Sequence, residues 1–245
     1  MDELKVETCV IISAGTEWKA VRALFPKAEV RSSPMGAWWL SILNPGPDSI
    51  NTPVVFFHGG WGKIAAAAST QYVIDRWKPK LLVNLGTCGG FEGEIERGTI
   101  ILANRTLVYD IIEQMGDYDQ AVAHYTTEVD LSWLEKNILD GKTCLPVQST
   151  LLVSGDRDLI AEEIPQLKAR YGAVAGDWES GAIAYVAARN QTRLLILRGV
   201  SDLVGSSGGE AYGNFKLFED TTASIMKLLV ESLPCWLALG SGSSG

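Results

Sequence analysis

The chain has 245 residues, 47% of them hydrophobic and 20% charged, with a formal net charge of −8. That length suits one large α/β domain or two small ones, and the apolar fraction suits a packed globule. The negative charge and the lack of any Lys/Arg-rich run exclude nucleic acid and an anionic membrane as the main partner. Cys9, Cys88, Cys144 and Cys235 are scattered, and His58 and His124 lie far apart. The spacing therefore suggests neither a zinc site nor a disulfide framework, and no metal or cofactor is expected. The acidic start before the first apolar run is the reverse of a secretory signal, and no apolar run is expected to approach membrane-spanning length, so a reducing, cytoplasmic setting is expected.

In chain order, "ETCVIISAG" reads as a buried strand ending at glycine. "TEWKAVRALFP" follows with helical period, Trp18, Val21, Leu24 and Phe25 sharing a face until Pro26 ends it. "AWWLSIL" and "TPVVFFHGG" read as strands joined by a turn at "GPDS". "KIAAAASTQYVIDRW" is a small-residue helix, "PKLLVNLGTCGGF" a core strand running into a glycine-rich turn, and "GTIILANRTLVY" another strand. "EVDLSWLEKNIL" reads as a surface helix, "STLLVSGD" as a strand and "EIPQLKARY" as a helix. "AGDWESGAIAYVA" gives a buried helix, "RLLILRGVSD" the last core strand and "FKLFEDTTASIMKLLVESL" a long closing amphipathic helix. Strands alternating with helices predict a three-layer α/β fold with ligands at the strand ends. One domain is expected over residues 1–235, followed by a tail, 236–245, whose "GSGSSG" end reads as a flexible linker.

Four strand-end segments are candidates for chemistry: "ISAGTEW" with Glu17, "HGGWGK", "NLGTCGG" and "RGVSD". Glycine-rich turns expose N–H groups that can hold anions or polar ligand edges, but none of these matches a dinucleotide fingerprint or a phosphate loop. In "RGVSD", Asp202 directly follows a buried strand. Desolvation favours a protonated carboxyl there, able to donate at neutral pH. Spacing alone leaves open that Asp202 only caps the next segment or pairs with Arg198. Asp177 and Glu179 flank Trp178 at the start of a helix, where acids also favour the helix dipole.

Five segments in order, "GGWGKIAAA", "NLGTCGG", "VSGD", "DWESGAIA" and "RGVSD", resemble the nucleoside phosphorylase and nucleosidase superfamily. The resemblance runs from about Val10 to about Leu233 and is strongest to the 5′-methylthioadenosine/S-adenosylhomocysteine nucleosidases. It implies an α/β/α sandwich around a mixed, partly closed β-sheet, in a homodimer or larger homo-oligomer, and a small-molecule nucleoside as ligand. It also implies that Glu179 accepts hydrogen bonds from the ribose hydroxyls and that Trp178 packs on the nucleoside. Asp202, oriented by Ser201, is implied to act at N7 of a departing purine. Glu17 matches the general base, Thr87 and Arg198 fall where the water and the glutamate are held, and Cys88 and Gly89 share the pocket wall with Thr87. The phosphorylase branch would need two arginines that are absent; Asn84 stands where one is expected, so hydrolysis is favoured over phosphorolysis. The sequence departs from the pattern in two places. Asp158 replaces an aromatic that stacks on the base, leaving Trp178 or Trp61 to supply such a surface, and Tyr212 replaces a phenylalanine beside the 5′ substituent. Asp156 reads as a turn residue, and "GSSGGEAYG" as a mobile flap.

Overall fold

The computed structural model describes residues 6–44, 51–134 and 144–241. The expected turn at "GPDS", residues 135–139 of the helix expected over "EVDLSWLEKNIL" and the last four residues lie outside them.

The elements run in the order β1 (Thr8–Ile12), α1 (Gly15–Leu24), β2 (Arg31–Ser33), β3 (Gly36–Leu43), β4 (Thr52–His58) and α2 (Lys63–Trp77). They continue with β5 (Leu81–Phe91), β6 (Ile100–Val108), α3 (Tyr118–His124), β7 (Thr126–Glu128) and β8 (Gln148–Ser154). A short 3-10 turn, Ala161–Glu163, leads into α4 (Ile164–Tyr171), and β9 (Ala175–Asp177), α5 (Ser180–Arg189), β10 (Arg193–Gly205), β11 (Gly208–Gly209) and α6 (Phe215–Ser241) complete the chain.

All strands belong to one mixed sheet in the order β11-β10-β6-β8-β9-β5-β1-β4-β3-β2, with β7 paired to β6. A further pairing joins β10 to β5. Five strands, β10, β6, β8, β9 and β5, therefore close on themselves, while β1, β4, β3 and β2 extend outward as an open wing. This is the mixed, partly closed sheet expected. β5 belongs to both parts because it pairs parallel to β1 and β10 and antiparallel to β9.

The pleat sends alternate side chains to opposite faces, so a strand buried on both sides supplies two cores. Cys9, Ile11, Val55, Phe57, Leu82, Leu194 and Ile196 pack on one face with Ala66 and Val73 of α2 and Ala184 and Ala187 of α5. Val10, Ile12, Val54, Phe56, Val83, Leu195 and Leu197 pack on the other with Val21 of α1 and Ile225, Leu229 and Leu233 of α6. These are the three layers. A third cluster, including Leu107, Val122, Val153 and Leu167, fills the space between the closed strands and α3 and α4.

Four expectations are corrected. Helix α6 runs to Ser241, and Trp236 is fully buried, so the folded part extends beyond residue 235. Truncating such a side chain costs on the order of 3–5 kcal/mol. Cys144 and Cys235 form a disulfide, a pairing invisible in the spacing because 91 residues separate them. Helix α6 is long and apolar enough, by length and composition, to cross a membrane; its apolar face is nevertheless spent on the sheet and α1. Finally, "GTCGG" is not a turn. β5 continues through it to Phe91, because β10 pairs with it along its length and β9 pairs with Gly89 and Gly90.

Candidate active site

The C-terminal end of β1, the middle of β5, the β9–α5 junction and the second half of β10 meet around a cavity of about 830 Å³. Glu17, Thr87, Cys88, Gly89, Trp178, Glu179, Ser201, Asp202 and Tyr212 all line it. Arg198, the remaining residue expected at the site, lies fully buried behind that wall.

Glu17 sits in the first turn of α1 and is 2% exposed. Its Oε2 accepts from the Ala14 N–H at 3.2 Å, half of a capping box. Its Oε1 accepts from the Thr87 N–H at 2.6 Å and from the Thr87 hydroxyl at 2.9 Å. A helix-capping acid is thus turned inward and clamped to β5. Oε2 keeps acceptor capacity towards the cavity.

Arg198 organises the floor. Its Nη2 pairs with Asp177 Oδ2 at 3.0 Å and donates to Asn84 Oδ1 at 2.9 Å; its Nε donates to the Ser180 hydroxyl at 3.1 Å. Its Nη1 donates to the Thr87 carbonyl at 3.3 Å. Glu17 Oε1 and Glu179 Oε2 each lie 3.6 Å from a guanidinium nitrogen. Burial works against the charged guanidinium, but Asp177, Glu17 and Glu179 outweigh it and raise its pKa. Gly86 makes this arrangement possible: a Cβ there would stand 2.0 Å from Arg198 Nη1 and 2.8 Å from Glu17 Oε1.

One guanidinium cannot neutralise three buried carboxylates. Glu179, 5% exposed, shows the consequence. Burial pushes its carboxyl up to about 8, and the neighbouring Asp177 and Glu17 add to the effect against Arg198 and a hydrogen bond from the Gly62 N–H. That N–H lies 3.1 Å from Glu179 Oε1. Gly62 holds a φ of +85°, a backbone region that favours glycine, and this points its N–H into the site.

Asp202 owes its position to an irregularity. β10 and β5 pair in register up to Val200 opposite Cys88 and resume with Asp202 opposite Gly89, leaving Ser201 as the extra residue of a bulge. Both polar side chains are thereby brought onto the cavity wall. The Ser201 hydroxyl lies 2.7 Å from Asp202 Oδ1 and 3.2 Å from the Cys88 carbonyl. Burial raises the Asp202 pKa and Glu210 adds to this, against the Ser201 hydrogen bond. Asp202 makes no pair with Arg198, which pairs instead with Glu17, Asp177 and Glu179.

Aromatic rings form a further part of the wall. Trp178 faces Trp61 with ring centroids 5.3 Å apart, and Phe215 and Phe218 line the same space. Tyr212 donates its hydroxyl to the Leu159 carbonyl at 2.8 Å, tying the 205–213 segment to the 157–159 loop. Asp156, read as a turn residue, accepts from the Lys63 N–H at 2.6 Å and so caps α2 from another loop. Asp158 lines the cavity.

Sequence reasoning passed over Asp177, Asn84 and Ser180 as site residues. The available signal was Arg198 itself: an arginine in an apolar strand needs anionic and hydrogen-bonding partners nearby. Among the described residues, no group of His, Cys, Asp and Glu is arranged to hold a metal ion; the carboxylate cluster is filled by the guanidinium.

The fold and cavity can be set beside known proteins. A 5′-methylthioadenosine/S-adenosylhomocysteine nucleosidase from Bacillus subtilis (strain 168) is 26% identical over 174 residues, 67% of this chain and 74% of that protein. The protein of the same name from Staphylococcus epidermidis is 29% identical over 196 residues, 74% of this chain and 82% of its own. Among solved structures, the Helicobacter pylori nucleosidase of that name, with butyl-thio-DADMe-Immucillin-A, superposes with a TM-score of 0.74 at 15% identity, covering 94% of this chain and 99% of that one. Futalosine hydrolase of Helicobacter pylori gives a TM-score of 0.73 at 15% identity over 94% of this chain and 98% of its own. The profile of the phosphorylase superfamily matches residues 49–233, three quarters of the sequence, and the chain belongs to that superfamily.

Proposed function

We propose that the protein hydrolyses the N-glycosidic bond of a purine nucleoside of the 5′-methylthioadenosine/S-adenosylhomocysteine type. The observation that carries this reading is the convergence of Glu17, Glu179 and Asp202 on one cavity, with the nearest buried cation already engaged by carboxylates. The named relatives support the same substrate class.

The chemistry follows from the positions. Glu179 accepts from the ribose hydroxyls, which add to the hydrogen bond it takes from the Gly62 N–H. Trp178 offers an apolar face to the nucleoside. As the C1′–N9 bond lengthens, positive charge grows on the ribose and electrons flow into the purine. Asp202, held by Ser201, gives a proton to N7, so the base leaves neutral. Glu17, held by Thr87, takes a proton from a water whose oxygen bonds to C1′. Water is thus added across the bond, and the negative floor stabilises the cationic sugar. A phosphate nucleophile would meet this carboxylate cluster with no unpaired guanidinium in it, which favours water.

Base release from 5′-methylthioadenosine, followed with and without inorganic phosphate, tests the proposal. Adenine should appear at the same rate in both. An absolute requirement for phosphate would make the enzyme a phosphorylase and remove Glu17 as base; no release from any purine nucleoside would leave a binding module. A homodimer is part of the same proposal, supported by the exposed apolar side chains of Trp61, on the cavity wall, and Ile64, three residues on, 66% and 85% accessible; the molar mass in solution tests it.

A further inference from the structure

A second cavity, of about 310 Å³, lies beyond the 157–159 loop. Arg157 lines both cavities. Its guanidinium lies 5.3 Å from the centroid of the Tyr109 ring and is paired with Glu163. The hydrogen bond from Tyr212 to the Leu159 carbonyl runs along the same partition. The second cavity adjoins the end of the first that holds Asp158 and Asp202, which are close enough for the charge of one to act on the other. In the reading above this is the base end, not the sugar end.

The lining is flat and aromatic. Tyr109, Tyr118 and Tyr171 supply rings, and Ile112 and Leu167 add apolar surface. The Arg170 guanidinium stands 4.5 Å from the Tyr118 ring centroid and 5.5 Å from that of Tyr171. Charge is cancelled locally, because Arg157 is paired with Glu163 and Arg170 with Asp119. An anionic guest would have to break those pairs. An uncharged ring can stack on tyrosines and guanidinium planes without disturbing them.

We propose that the preferred substrate is a purine nucleoside whose base carries a flat, uncharged aromatic substituent on the edge facing residues 157–159, and that this substituent reaches past the Arg157 stem into the second cavity with the Arg157–Glu163 pair kept. The inference rests on the nucleosidase reading. It accounts for a wall that places Asp158 against the base and leaves open space behind it. Purine edge groups then carry specificity, through contacts that a bare adenine does not reach.

The test compares kcat/KM for 5′-methylthioadenosine and its N6-benzyl derivative. The wild type should prefer the benzyl compound by about tenfold or more. Gln166→Trp and Ile112→Trp, both at exposed positions lining only the second cavity, should fill it, abolish that preference and leave the unsubstituted rate unchanged. Cleavage of the parent compound without any preference for the benzyl derivative overturns this inference alone. A preference that survives in both filled variants overturns the assignment of the second cavity. Failure to cleave either compound overturns the nucleosidase reading together with it.

Discussion

Arg198 is the residue on which the site's electrostatics turn. It holds Asp177 and Asn84 directly and lies between Glu17 and Glu179. Arg198→Met should leave three acids buried without their cation and destabilise the protein by about 3–5 kcal/mol, read from chemical denaturation. Glu179 gives a pH signature. Its carboxyl is raised from 4.5 to about 8 in the folded chain. Between those values the unfolded chain has released the proton that the folded chain still holds, so the ligand-free protein should lose stability as pH rises through that window and level off above it. Thermal melts across the window should show this slope, and Glu179→Gln should flatten it. Asp202 acts in the other direction, on rate. Asp202→Asn should lower kcat by about 10²–10⁴-fold with inhibitor affinity retained, and should remove the alkaline limb of the kcat profile where the raised carboxyl loses its proton. A wild-type kcat in this variant would exclude it as the acid.

At the level of elements, the site is made by strands that do not behave as isolated turns. The alternation of apolar runs announced the strands and their buried character, and "RGVSD" and "DWES" announced the acids. The bulge at Ser201 was not legible, because it is created by the mismatch between β10 and β5 and neither strand contains it alone. The continuation of β5 through "GTCGG" was hidden for a related reason: glycines that signal a turn locally are here required by the closeness of neighbours. Gly86 is the clearest instance, since any Cβ would strike Arg198. Gly86→Ala should therefore displace the guanidinium and lower kcat/KM by more than tenfold while the fold, judged by circular dichroism, persists. The role of Asn84 is similar. Its position suggested a lost phosphate contact, and it accepts a hydrogen bond from Arg198.

On the scale of the whole molecule, a sheet closed at one end and open at the other brings residues from positions 17 to 218 to one cavity. Such long-range convergence was legible only through the order of several motifs, since no single one locates the others. The far end of the chain was misread because "LPCWLALG" contains a proline, Pro234, a residue that normally ends a helix but here lies inside α6. Its Trp236 and the Cys144–Cys235 bond anchor that helix from two sides. Cys235→Ser should cost about 2–4 kcal/mol, measured by denaturant unfolding, and dithiothreitol should reproduce the loss in the wild type without further effect on the variant. The covalent tie also bears on how the chain matures. The last helix can be sealed to residue 144 only once Cys235 has been brought beside Cys144, so thiol-blocking reagents added during refolding should trap a species whose last turns of α6 are still open to proteases, whereas the same reagents added afterwards should change nothing there.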